Sequence, residues 1–236
     1  MWRYERPALA CCLTLLVLGG AGVAVGLCAS LVIALPALNL QDASVATPVV
    51  LPLAGTVVLE EDFSDPASGW FESADEFTTH AYDDGAYHIV VHQANYDAWA
   101  YAGLDLSDAR VSVQAVPIAG PPDLAFGLIC RLQDDHNYYA AYVSADGWAA
   151  LFRKEDDDFV SLLPGDWVET GAVQPAGSND LTLACLGDRL QLTVNGVPVA
   201  EARDATFPSG DVGLLAATFD GPGADLRFDN FVVSEP

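Results

Sequence analysis

Glycosidic bonds are cut between two carboxyl groups held about 5 Å or about 6.5–9.5 Å apart, and this chain offers carboxyl groups in abundance. Its 236 residues include 33 Asp and Glu against 9 Lys and Arg, for a formal net charge of −24. At that density chance pairs at catalytic distance are expected, so pairing alone assigns nothing. The run Glu60-Glu61-Asp62-Phe63-Ser64-Asp65 leads straight into Pro66 and reads as an acidic turn at a sheet edge. His88 and His92 are four apart, hence on one face of a strand. No third metal ligand accompanies them in sequence, and solvent-facing histidines are the plainer reading. There is no Gly-x-Ser-x-Gly turn, and neither Cys130 nor Cys185 has a recognisable histidine partner. The sequence therefore nominates no catalytic residue. Hard oxygen donors favour calcium over a transition metal. Asp62 and Asp65 near the start of the acidic region, and Asp229 near its end, would meet at a structural Ca²⁺ if the first and last strands pair. Solvated turn carboxylates are the alternative.

Binding chemistry is better represented. Alternation along 126–144 sends Phe126, Leu128 and Cys130, then Tyr139, Ala141 and Val143, to one side, and Tyr138, Ala140 and Tyr142 to the other. We group Tyr138 and Tyr142 with Arg131 and Arg153 on one sheet face, with Trp99 and Tyr101 extending it. Sugars stack their C–H faces on rings and hydrogen-bond their hydroxyls to planar donors, so this set suits a glycan. Changing Tyr142 or Arg131 is then expected to weaken binding with little loss of stability. The competing reading is that strands are rich in Tyr and Trp anyway, and that these rings only cover a sheet.

The elements that position these residues are strands. From about Thr56 onward no window keeps a helical period, while short alternating runs recur between Gly, Pro, Asp and Asn clusters. The predicted strands are Val57–Glu61, Ala86–His92, Ala98–Ala102, Arg110–Pro117, Ala125–Leu132, Asn137–Ser144 and Trp148–Lys154. Asp180–Leu186, Arg189–Val194, Val197–Ala202, Asp211–Thr218 and Ala224–Val233 complete the set. Asn195-Gly196 and Asp146-Gly147 read as two-residue hairpin turns, because both pairs accept positive φ. Glu155–Asp158 reads as a charged hairpin tip. About twelve strands in this length imply an all-β, two-sheet jelly roll or sandwich. Cys130 and Cys185 both point inward from their strands and form a candidate disulfide in an exported domain, two free core thiols being the alternative.

The chain divides into a flank at 1–7, an apolar segment at 8–35, a Pro/Ala/Val-rich linker at 36–56 and the acidic domain at 57–236. Segment 8–35 holds no charge and exceeds the roughly 20 residues that span a bilayer. Arg3 and Arg6 precede it and almost all acidic residues follow, which predicts a single-pass membrane protein with a cytoplasmic N-terminus and an extracytoplasmic domain. A cleaved signal is the alternative, although its apolar core usually runs only about 7–15 residues. Lipidation at Cys28 is a third reading, weakened by Leu27 before it. Gly22 and Gly26 form a GxxxG that suits a homodimer through this helix. The charge repels nucleic acid and anionic lipid, and nucleic-acid binding is excluded.

Three stretches together resemble the concanavalin A-like lectin/glucanase superfold, in the branch of the 3-keto-disaccharide hydrolase (DUF1080-type) domains. They are Phe126–Ser144 followed by Asp146-Gly147-Trp148, then Asp188–Ala202, then Gly210–Val233 with its closing Phe-Asp-Asn-Phe. With Glu61–Trp70 the resemblance covers essentially all of Val57–Val233. It implies a jelly roll with a concave glycan-binding face, often displayed on a bacterial membrane, and supplies no catalytic set to carry over. Related glucanases bear Glu-x-Asp-x-(x)-Glu on a strand, and Glu60–Asp65 departs from it. The expected function is a membrane-anchored carbohydrate-binding domain that recognises a glycan or glycosylated surface partner. A glycoside hydrolase of the keto-disaccharide type and a structural envelope domain are the alternatives.

Overall fold

A computed structural model describes residues 55–236. The flank, the 8–35 segment, the Gly22/Gly26 pair and nearly all of the linker lie outside the described residues. Among the described residues no helix is long and apolar enough to cross a membrane.

The domain is two antiparallel sheets packed face to face. The first has nine strands. In spatial order these are β14 (Val197–Arg203), β13 (Arg189–Val194), β12 (Asn179–Leu186), β6 (Ala109–Ala119), β16 (Ala224–Glu235), β4 (Ala86–Val91), β3 (Thr78–Asp83) and β2 (Ser73–Ala74), with β1 (Thr56–Glu61) added on β16. The second has seven: β10 (Asp158–Ser161), β9 (Trp148–Glu155), β8 (Asn137–Ser144), β7 (Ala125–Asp134), β15 (Asp211–Ala217) and β5 (Asp97–Tyr101), with β11 (Trp167–Glu169) on β9. Every predicted strand is present, within two residues at either end. Four were not anticipated: β2, β3, β10 and β11. The helical structure among the described residues is one 3₁₀ turn, Pro66–Ser68.

Alternation places the core as the sequence implied. Phe126, Leu128 and Cys130 of β7 and Tyr139, Ala141 and Val143 of β8 face Val111, Val113, Leu181, Leu183 and Phe228 of the other sheet. Cys130 and Cys185 are bonded across the sandwich, tying β7 to β12 over a separation of 55 residues. One end of the core is aromatic: Phe63 meets Trp70 at 5.1 Å and Tyr87 at 5.4 Å, and Trp70 meets Phe231 at 5.0 Å.

The tight turns show why the strands stop where they do. Asn195 and Gly196 both take positive φ, 50° and 78°, as a two-residue hairpin of that twist requires. At Asp146-Gly147 the hairpin is present but its turn differs. Ser144 pairs with Trp148 across the three residues Ala145–Gly147, and of these Gly147 alone has positive φ, +96°. The Gly147 amide donates to the Ser144 carbonyl at 2.9 Å, which is a turn followed by a left-handed residue rather than a two-residue loop. Asp156 and Asp157, with φ of 51° and 72°, form the tip between β9 and β10.

Candidate binding face of the second sheet

The face of the second sheet turned away from the core carries the remaining alternate side chains. Register sets them in cross-strand rows. One row reads Trp99, Leu215, Gly127, Tyr142, Ala150, Trp167. The next reads Tyr101, Gly213, Ile129, Ala140, Phe152. Tyr138, Lys154 and Phe159 form a shorter third row. Rings therefore stand around a floor of Gly and Ala. Gly127 is fixed by its neighbours, since a Cβ there would run into the Ala141 carbonyl.

Between these rings lies a cavity of about 220 Å³ lined by Asn95, Asp97, Tyr142, Phe159, Trp167 and Phe219 among others. Tyr142 rises beside Gly127 and donates its hydroxyl to Asp97 Oδ2 at 3.3 Å. Burial pushes the Asp97 carboxyl up to about 6, against opposing contributions from the Tyr142 hydrogen bond and the Lys154 charge. Burial, with Asp97 close by, also raises Tyr142 well above an ordinary phenol. Lys154 Nζ stands 5.3 Å from both the Trp99 and Tyr138 ring centroids and 5.8 Å from that of Phe159. It donates to the Asp135 carbonyl at 2.9 Å and pairs with Asp157 at 3.3 Å. The Tyr138 hydroxyl is buried and makes no hydrogen bond among the described residues.

Tyr138, Tyr142 and Trp99 thus share the face on which the sequence put them, but the two arginines do not. Arg153 follows the parity of Ala149 and Leu151, so it leaves β9 on the core side, opposite Tyr139, and pairs with Asp204 at the sandwich margin. Arg131 sits at a bulge with φ of 52°, where the β7–β8 register shifts after Cys130. Its side chain is 3% exposed and donates to the carbonyls of Ser107 (2.9 Å) and Phe207 (3.1 Å) and to Asp108 (3.2 Å). It knots loops together instead of facing a ligand. Tyr142, 5% exposed, is also a packed residue, so the expectation that Tyr142 and Arg131 are dispensable for stability is corrected for both.

Strand β1 does pair with β16, Glu61 opposite Phe231. Asp62 accepts from the Ser64 amide at 3.0 Å, Asp65 from the Ala67 amide at 2.9 Å and Asp229 from the Asn230 amide at 2.7 Å. Among the described residues no three His, Cys, Asp or Glu side chains are grouped as a metal site. His88 and His92 lie apart from the cavity, against Asp225 (3.4 Å) and Thr79 (2.9 Å). Sequence reasoning missed Asp97, Lys154, Trp167 and Phe219. Of these, Asp97 carried a partial signal, since it shares strand parity with Trp99.

The two-sheet order and the cross-sheet packing decide the architecture. The fold is a concanavalin A-like jelly roll. No protein-family model and no curated protein sequence matches the chain. Among solved structures it resembles the carbohydrate-binding module CBM66 from Bacillus subtilis, with TM-score 0.57, 20% identity, and coverage of 71% of this chain and 96% of that one. A Bacillus subtilis protein of galectin-like fold superposes with TM-score 0.59 at 15% identity, over 77% of this chain and 96% of the other. A Bacillus licheniformis β-glucanase gives TM-score 0.56 at 9% identity, over 78% and 100%. At these identities the likeness is one of fold.

Proposed function

We propose that this jelly roll is a carbohydrate-binding domain, displayed outside the cell membrane by its 8–35 segment, whose ligand seats in the Asp97–Tyr142 cavity. The observation that carries the reading is a carboxyl group bonded to a tyrosine hydroxyl inside a ring-walled hollow. Rings stack on the C–H faces of a sugar, and the carboxyl and phenol meet its hydroxyls. The fold-level likeness to a carbohydrate-binding module and a galectin-like protein supports the choice of ligand class by analogy.

The raised Asp97 carboxyl also gives a hydrolase reading a foothold, since a general acid needs such a shift. Two carboxyl groups are required for the usual mechanism, and Asp97 is the sole acid among the described residues lining the cavity. Binding is accordingly the reading adopted.

The test is a glycan-array screen of the purified full-length chain in mild detergent, with Asp97→Asn and Tyr142→Phe alongside. Selective binding that both variants weaken at least tenfold is expected. A blank array, or hits indifferent to both variants, would overturn the assignment. Release of sugar from a bound glycan, abolished in Asp97→Asn, would move the domain to the hydrolases. Running the screen with calcium and with chelator also tests whether Asp62, Asp65 and Asp229 hold a structural cation, which a chelator-induced fall in Tm would reveal.

A further inference from the structure

A second hollow, of about 240 Å³, lies beside the first and shares Asp97 with it. Residues of both parities from β5 line it, Ala98 and Ala100 as well as Trp99 and Tyr101, so it runs along the strand's open edge and not on the sheet face. Its opposite wall comes from the first sheet, through Thr78 and His80 of β3, with Phe71 before them.

Two features of this groove point to a ligand. The first is its exposed rings: Phe71 is 58% exposed, Tyr101 52% and Tyr96 37%. Tyr96 is held at the rim by stacking on Phe77, with centroids 5.4 Å apart and planes inclined by 23°. Large apolar groups gathered on one surface usually mark a binding site. The second is His80. Its ring is 5% exposed, its Nδ1 lies 3.3 Å from the Ser73 hydroxyl, and its Nε2 makes no hydrogen bond of good geometry among the described residues, the Trp99 backbone giving the ring a weaker polar contact. Burial lowers its pKa and favours the neutral ring, which can donate to or accept from a hydroxyl. A buried polar atom so poorly satisfied is costly, and a ligand hydroxyl in the groove would supply a better partner.

Volume points the same way. Either hollow alone is smaller than the roughly 300–1,000 Å³ usual for a small-molecule site, and the two together fall within that range. We propose that the β5-edge groove is a second sugar subsite continuous with the cavity through Asp97, so that the ligand is an oligosaccharide of at least two units. This rests on the carbohydrate reading above. One ring would sit against Tyr142 and Trp167, and the chain would leave past Asp97 and Trp99 toward Tyr96, Tyr101 and Phe71, with His80 bonding a hydroxyl of the second unit.

The test uses the full-length chain and ladders of one to six units built from glucose, xylose, mannose, fructose and N-acetylglucosamine, titrated calorimetrically. Affinity for one ladder should rise at least tenfold between one and two or three units and then level off. Phe71→Ala and Tyr96→Ala, both at exposed positions, should remove that rise with only a small fall in Tm from the lost ring contacts to His80 and Phe77. His80→Gln, which keeps a side-chain donor and acceptor, should retain more of the rise than His80→Leu. Affinity independent of length, or a rise that survives in both aromatic variants, overturns the second subsite. If binding is then still lost in Asp97→Asn, the cavity assignment stands alone. Silence from every ladder overturns both.

Discussion

At the scale of single residues, Asp97 carries the most testable consequence. Its carboxyl sits near 6 in the folded chain against an ordinary 3.8. The folded state therefore holds this proton more tightly than the unfolded chain does. The stability it contributes is present below about pH 4 and is lost as pH rises through about 6, a cost on the order of 3 kcal/mol above that. Asp97→Asn keeps the shape and removes the charge, so it should raise the urea midpoint at pH 8 and change it little at pH 4. The same variant should bind sugar poorly, as expected where a strained group serves a site and not the fold. Equal effects on stability at both pH values would sink the claim that this carboxyl is perturbed. Arg131 makes the opposite case. Its charge is buried and satisfied by two carbonyls and Asp108, so Arg131→Ala should cost about 3–5 kcal/mol, and Arg131→Lys most of that, because an ammonium cannot reproduce the fork. A midpoint equal to the parent's would refute the loop-knotting role. The burial of neither residue was legible in the sequence. Asp97 was one acid among 33, adjoining the predicted strand Ala98–Ala102, and nothing local reported its burial. Arg131 looked outward because alternation was extended through Cys130, where a bulge with positive φ breaks it.

At the scale of elements, the strands that could be read were those with one apolar and one mixed face. Asn137–Ser144 was predicted with the limits it has, and its inward and outward sets were correct. Thr78–Asp83 was not predicted, because its inward positions are Thr78, His80 and Tyr82, which show no apolar alternation. Trp167–Glu169 is three residues long and too short for any period to register. Face assignment failed for Arg153 for a different reason. Its parity with Ala149 and Leu151 was legible, yet it was grouped with Tyr138 and Tyr142 for its chemistry and not its position. The disulfide is the element-scale feature with the largest energetic consequence. By joining β7 to β12 over 55 residues it restricts the unfolded chain, which a chain-entropy estimate values at about 4 kcal/mol. The parent domain should lose that stability in dithiothreitol, and the paired Cys130→Ala, Cys185→Ala variant should be as weak as the reduced parent and indifferent to the reagent. A parent midpoint unchanged by dithiothreitol, with free thiols titrated to confirm reduction, would rule out the entropic role.

At the scale of the whole molecule, charge connects the fold to what it can bind. The ion pairs among the described residues are few and mostly at the surface, such as Arg203–Asp188 and Arg189–Glu201, and pairs of that kind contribute about 0–1 kcal/mol each. They cannot offset the self-repulsion of a chain at −24. Screening should therefore help: with a Debye length near 10 Å at 0.1 M and about 3 Å at 1 M, Tm should rise by several degrees between 20 mM and 1 M sodium chloride. A fall would mean that attractive pairs dominate. The same field reaches the binding face, where Asp97 lines the cavity, Asp135 the groove, and Lys154 is already engaged by Asp157 and three rings. An anionic sugar would enter against that potential and meet no unengaged cation among the described residues of either hollow. Neutral oligosaccharides should then be bound in preference to uronate or sulfated chains of equal length, by tenfold or more at 20 mM salt. That preference should shrink as salt is raised, because screening removes the repulsion and leaves the ring stacking in place. Tighter binding of a polyuronate at low salt would place the ligand on some other surface of the molecule, since a hollow walled by Tyr142, Trp167 and Asp97 has nothing with which to hold it.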